Sequence, residues 1–277
     1  MIKQLLSSLL LLSCVSFAKD INVGLTYQKL DFENSKKKDK GIRKGFDLDI
    51  LKDDFLYQLS YEKTDTDTFK PPLKKDLEVD KYYFKITKKL NSLDSFSLSF
   101  ATINDSIMKE ADGGKIYGLG YKHKNISFTQ YFSNYKNFDV YQSDFKMAFK
   151  KSFDEVSSKF ILITKYIKLK SKNSNKFSKN AKSNYLTTGL KIHSTYKTYH
   201  FGVGAFFGKR VFAVMKNGFK VQHHAMEFEK TYMCGVGKKF AWGDINLKYI
   251  YQKATELPIN NKNVKVKNIV SKVTHTF

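Results

Sequence analysis

The chain has 277 residues, enough for one large all-β domain or two average ones. Its 49 lysines and arginines against 26 acidic residues give a formal charge of +23, a balance that by itself suggests nucleic acid as a partner. Export and distribution exclude that partner: the chain opens on a secretory signal, and its lysines scatter through turns and loops instead of forming one stripe.

Residues 1–18 carry the signal. Lys3 supplies the positive n-region, Leu5 to Leu12 the apolar core, and Ser16, Phe17 and Ala18 the cleavage site. The core is too short to span a bilayer as a helix, and charged mature sequence follows at once. A rival cleavage before Cys14 reads as a lipoprotein box with an imperfect second position. After cleavage at Ala18 only Cys234 remains, so no intramolecular disulfide can form.

Residues 19–277 read as a single domain of about fourteen strands, with twelve to sixteen compatible with the pattern. In chain order the strands fall at 21–32, 44–50, 54–64, 79–89, 95–104, 115–122, 125–133, 138–150, 156–169, 185–194, 197–216, 219–240, 244–253 and 264–277. Apolar residues recur at every second position. Phe46, Leu48 and Ile50 alternate with Asp47 and Asp49, and Ile245, Leu247, Tyr249 and Tyr251 alternate with Asn246, Lys248 and Gln252. Period two places one set on each face of a sheet.

A soluble sandwich would also alternate. Connection length separates the two readings. Long connections at 33–43, 65–78, 105–114, 170–184 and 254–263 alternate with short ones at 51–53, 90–94, 123–124, 151–155, 194–196 and 241–243; 134–137 is a short member of the long class. An up-and-down membrane barrel with short periplasmic turns and long outer loops has this order. Aromatic residues also gather at strand ends. Tyr27, Phe46, Tyr61, Tyr82, Phe100, Tyr117, Phe132, Tyr141, Tyr166, Phe228 and Tyr251 mark the outer ends, and Phe55, Phe96, Tyr121, Phe149, Tyr199, Phe240 and Phe277 the inner ones. Two such rings are the girdles of a transmembrane barrel. Pro71, Pro72 and Pro258 all fall in long loops, where no ladder bond is lost.

The last strand stops on Phe277 after Ile269 and Val273. Here the chain resembles the bacterial outer-membrane β-barrel class, porin-like in general character, whose final strand commonly ends in an aromatic residue. Ser271 and His275 depart from the usual apolar choices on that face. The resemblance implies residence in the bacterial outer membrane, contact with its lipid and lipopolysaccharide, and handling by the barrel-assembly machinery through Phe277. It implies no cofactor, and porins that form trimers usually have more strands, which points to a monomer.

Residues 197–240 are the most unusual. Asn217-Gly218 signals a type I′ turn, since both positions need positive φ. The register it sets pairs Phe207 with Phe228, Val203 with Tyr232, Phe201 with Cys234 and Tyr199 with Val236. Two strands this long would project beyond the surface or bend inward over the mouth. Inward Gly202, Gly204, Gly208, Gly235 and Gly237 either leave a groove without side chains or relieve strain where the wall curves. Arg210, His223, Glu227 and Glu229 share the inward face near the mouth, with Arg210 diagonal to Glu227 at ion-pair reach. They form either a charged constriction or a set of pairs that pins the hairpin.

Further inward candidates are Asp47, Asp49, Glu62, Lys85, Asp144, Lys146, Lys191, Lys248 and Lys272, a mixed polar lining. No metal is expected: His223 and His224 are adjacent and point to opposite faces of a strand. No Ser or Asp is tied by spacing to either histidine, which leaves an outer-membrane lipid hydrolase as the least supported reading. The leading expectation is a porin-like channel for passive diffusion of small polar or anionic solutes, since fourteen strands leave some lumen. The alternative is a non-conducting barrel for binding, adhesion or envelope structure. Dense packing of Phe206, Phe212 and Val214 into the mouth would mark such a plugged barrel.

Overall fold

The computed structural model describes residues 20–108, 111–172, 180–222 and 225–277. The expected signal peptide, both candidate cleavage positions, and His223 and His224 lie outside the described residues.

Fourteen strands close into one antiparallel barrel: β1 (Asp20–Glu33), β2 (Lys38–Lys52), β3 (Phe55–Thr68), β4 (Leu77–Lys89), β5 (Asp94–Asp105), β6 (Gly114–His123), β7 (Ile126–Asn134), β8 (Phe138–Phe153), β9 (Val156–Ser171), β10 (Asn184–Tyr196), β11 (Tyr199–Arg210), β14 (Met226–Phe240), β15 (Gly243–Glu256) and β16 (Asn261–Thr276). Two short strands, β12 (Val214–Met215) and β13 (Lys220–Val221), form a separate hairpin between β11 and β14. Each wall strand pairs with its sequence neighbours, and β1 closes on β16 from Asn22↔Thr276 to Glu33↔Lys265. Closure satisfies the backbone without an edge, which a bilayer core demands.

The number and order of the strands are those expected, but the strands are longer. β2 begins at Lys38 instead of residue 44, so the expected loop 33–43 is mostly ladder, with Asp31 paired to Lys40. Ile42 is the one large apolar residue among those added, so alternation carries no signal there. At one end the connections are tight: 53–54, 124–125, 154–155, 197–198 and 241–242 each hold two residues. That end is periplasmic by the barrel rule. At the other end lie the longer segments, including 69–76, 106–113 and 211–225.

The outer wall is apolar. Leu25, Leu98, Leu119, Leu190, Phe201, Val236, Leu247 and Ile269 are each about half exposed or more, which in water would be a large unfavourable patch and in lipid is the required solvent. Aromatic rings stack along the upper rim: Tyr61 on Tyr82 at 5.0 Å, Phe100 on Tyr117 at 5.4 Å, and Phe132 on Tyr141 at 5.2 Å. At the lower rim Phe240, Trp242, His275 and Phe277 stack in series. His275 thus joins the girdle despite its polarity. Two polar pairs face lipid and satisfy each other across strands: Gln130 donates to Ser143 Oγ at 2.8 Å, and Thr164 meets Thr188 at 3.3 Å.

Phe228 is a correction. Expected in the upper girdle, it is 4% exposed and packs inward with Leu30, Phe32, Met226, Ala254, Val264 and Val266. A register shift between Phe228 and Lys230 turns it into the barrel.

Candidate lumen and constriction

The segment between β11 and β14 does not project outward. It folds into the barrel and crosses the lumen. The turn signal held: Asn217 and Gly218 have φ of 56° and 106°, and Phe219 N donates to Lys216 O at 3.4 Å. Val214 pairs with Val221 and Met215 with Lys220, as that turn requires. The expected continuation into the wall is two residues off. Phe207 pairs with Lys230, Val203 with Cys234, Phe201 with Val236 and Tyr199 with Lys238. The even offset preserves every face, so the apolar residues still meet lipid. The slip arises at Gly208, whose φ of +93° sits inside the register shift between Phe207 and Arg210.

Side chains from the opposite wall hold the hairpin. Val214 N donates to Gln142 Oε1 at 2.8 Å, and Gln142 Nε2 donates back to Val214 O at 2.8 Å. Lys165 Nζ donates to the same carbonyl at 3.1 Å, Lys81 Nζ to Val221 O at 3.3 Å, and Lys85 Nζ to Asn217 O at 3.2 Å. Above these bonds Val211, Phe212, Ala213, Val214 and Val221 pack with the inward residues of β4 to β10. Phe212 lies 5.4 Å from the Tyr135 ring and 4.6 Å from that of Phe138. Phe206, Phe212 and Val214 are all buried, so the dense packing that would mark a plug is present. It fills the outer half on one side. Gly189 makes room for it, since a Cβ there would stand 2.3 Å from the Phe206 ring.

Among the described residues, two cavities open onto the lumen beside the hairpin. The larger, about 330 Å³, runs along β1–β3 and β14–β16, from Asp49 and Gln58 near the periplasmic end to Arg43 and Gln222 beneath the mouth. Its lining carries seven cations (Arg43, Lys191, Arg210, Lys216, Lys220, Lys248, Lys272) and three carboxylates (Asp47, Asp49, Glu62). The acids are engaged. Lys272 contacts Asp47 at 2.5 Å, Gln58 donates to Asp49 at 3.0 Å, and Glu62 lies between Arg43 at 3.8 Å and Lys81 at 3.6 Å. The smaller cavity, about 240 Å³, lies on the periplasmic side of the hairpin against β7–β11 and holds Lys146 and Lys165 with Asp144. Lys165 pairs with Asp144. Lys191 and Lys216 line both spaces. Among the described residues, no acid lies within 4.0 Å of Lys146, Lys191, Lys216, Lys220 or Lys248.

The candidates separate into two groups. Asp47, Asp49, Lys146, Lys191, Lys248 and Arg210 line the cavities. Glu227 and Glu229 line neither; Lys209 gathers both, at 2.5 and 3.4 Å. The expected pairing of Arg210 with Glu227 is not made. Arg210 is fully buried, donates to Gln222 Oε1 at 2.9 Å and to Thr231, and lies between the Phe206 and Phe228 rings at 5.6 and 5.5 Å. The register slip moved Thr231, not an acid, beside it. The inward glycines do not leave a bare groove either. A Cβ on Gly237 would stand 2.0 Å from His200 Nε2, and one on Gly204 3.0 Å from Lys191; Gly202 alone of these five would make only ordinary contacts, the nearest His193 Nδ1 at 3.6 Å. Arg43, Lys165, Lys216 and Lys220 were missed. Alternation with outward Tyr166 implied Lys165, whereas the others fell in a presumed loop or at the turn.

No protein-family model matches the chain, and no curated protein matches it. Solved structures do. The outer membrane protein Omp33 of Acinetobacter baumannii aligns over 92% of this chain and 98% of its own, at 8% identity and a TM-score of 0.51. The CymD monoaromatic hydrocarbon channel aligns over 94% of this chain and 89% of its own, at 9% identity and a TM-score of 0.55. At such identity the likeness concerns the fold. Together with the girdled apolar wall, it shows a closed antiparallel β-barrel of the kind that those outer-membrane proteins have.

Proposed function

We propose that the barrel is a monomeric diffusion channel for small polar solutes, with a preference for anions. The observation that supports this most directly is the cation-rich cavity along β1–β3 and β14–β16, which the hairpin does not fill. Its carboxylates are occupied by partners, while Lys191, Lys216, Lys220 and Lys248 face the space with no acid within 4.0 Å among the described residues. A cation-lined narrow path raises the local concentration of anions and opposes cations. The apolar packing around Phe212 narrows the outer mouth and sets a size limit.

Liposome swelling tests the reading. Vesicles with the refolded barrel should admit small organic anions faster than neutral sugars of equal size, and exclude large oligosaccharides. Equal impermeability to all of them, with folding shown by heat-modifiable gel mobility, favours the non-conducting alternative, in which the hairpin is a plug.

A further inference from the structure

We propose that the smaller cavity on the periplasmic side of the hairpin is a binding site for an organic dianion, specifically a dicarboxylate with a hydrocarbon body. It rests on the channel reading for the route by which the solute arrives.

The charge at this site is unbalanced. Lys146 from β8, Lys191 from β10 and Lys216 from the hairpin tip line one space of about 240 Å³. The only carboxylate in its lining, Asp144, is taken by Lys165 and by Gln142 Nε2 at 2.7 Å. Three lysines therefore line one space with no acid within 4.0 Å of them among the described residues. Lys191 stands in electrostatic reach of Lys248 in the larger cavity and of Lys165, Lys146 and Lys216 around this one. A bound dianion relieves that repulsion and forms charge-assisted hydrogen bonds, the stronger kind.

The remaining lining selects the body of the ligand. Ile161, Ile163, Phe206 and Met215 form an apolar side, and Ser127 and Thr129 add hydroxyls. Inorganic phosphate would leave the apolar side against water, whereas a hydrocarbon chain or ring between two carboxylates covers it. The volume lies below that of drug-sized pockets, which restricts the ligand to metabolite size. The site depends on the fold of the hairpin, because Lys216 reaches it only when the tip is docked by Gln142, Lys165 and Lys85.

Isothermal titration calorimetry on the full mature barrel in detergent micelles tests this, with phthalate as probe and inorganic phosphate and acetate for comparison. Phthalate should bind more tightly than either. The double variant Lys146→Gln/Lys191→Gln should weaken it by about tenfold or more, and Lys146→Arg/Lys191→Arg should retain it. Heat-modifiable mobility shows that each variant folds. Phthalate binding unchanged in the glutamine variant, absent from the folded wild type, or no tighter than phosphate overturns the proposal. Calorimetry needs no current, so intact phthalate binding in a barrel that proves impermeable would sink the channel reading and leave the site standing.

Discussion

Lys248 shows how a single residue acts in this lumen. It projects inward from β15 into the larger cavity, diagonal to Lys272 of the adjacent β16, which pairs with Asp47. Two unit charges about 7 Å apart in water interact by about 0.6 kcal/mol, so deleting one cation should lower local anion occupancy about threefold. Lys248→Gln should therefore reduce the anion-to-cation permeability ratio by about that factor, measured as reversal potential in a salt gradient. Its conductance at high salt should change little, because screening removes the effect. Inward residues such as Asp47, Asp49, Lys146 and Lys191 were legible from alternation alone. Arg43 was not, because the sequence around it carries no apolar beat. Nor was the partner of Arg210, which a shift of two residues exchanged from Glu227 to Gln222 and Thr231.

At the scale of elements, the hairpin of β12 and β13 narrows the lumen. Its turn was readable at Asn217-Gly218; its inward path was not. The apolar beat of Phe206, Phe212 and Val214 is the same whether a strand meets lipid or a plug meets the inside of a wall. The positive φ at Gly208 decides between them, and glycine alone does not announce it. Phe212→Ala removes a fully buried ring packed against the stacked pair Tyr135 and Phe138, a change that costs about 3–5 kcal/mol in a packed core. The variant should lose its heat-modifiable folded form at a lower temperature. Replacing residues 211–222 with a short Gly/Ser linker should leave the fourteen-strand wall in place, since the hairpin pairs only with itself in its ladder. Single-channel conductance should then rise severalfold. An unchanged conductance would show that the hairpin does not restrict the path.

The whole molecule follows from one demand, that backbone in lipid be fully paired. That demand made the closed barrel, its alternating connections and its aromatic rims legible from the sequence, while strand ends beyond the membrane were lost for want of contrast between faces. The lipid-facing wall can be tested at Leu119, which is about half exposed and pairs between Leu98 and Gln130. Leu119→Arg should destabilise the barrel by about 2–4 kcal/mol if it lies at the bilayer midplane. Urea unfolding in lipid vesicles, followed by the single tryptophan, Trp242, measures it. The central claim is that the lumen stays open and cation-lined despite its hairpin. Its most direct test is single-channel recording of residues 19–277 in a planar bilayer across a salt gradient. Stable current steps with a reversal potential on the anion-selective side are the expected result. A silent bilayer with folded protein, or steps that favour cations, would contradict it.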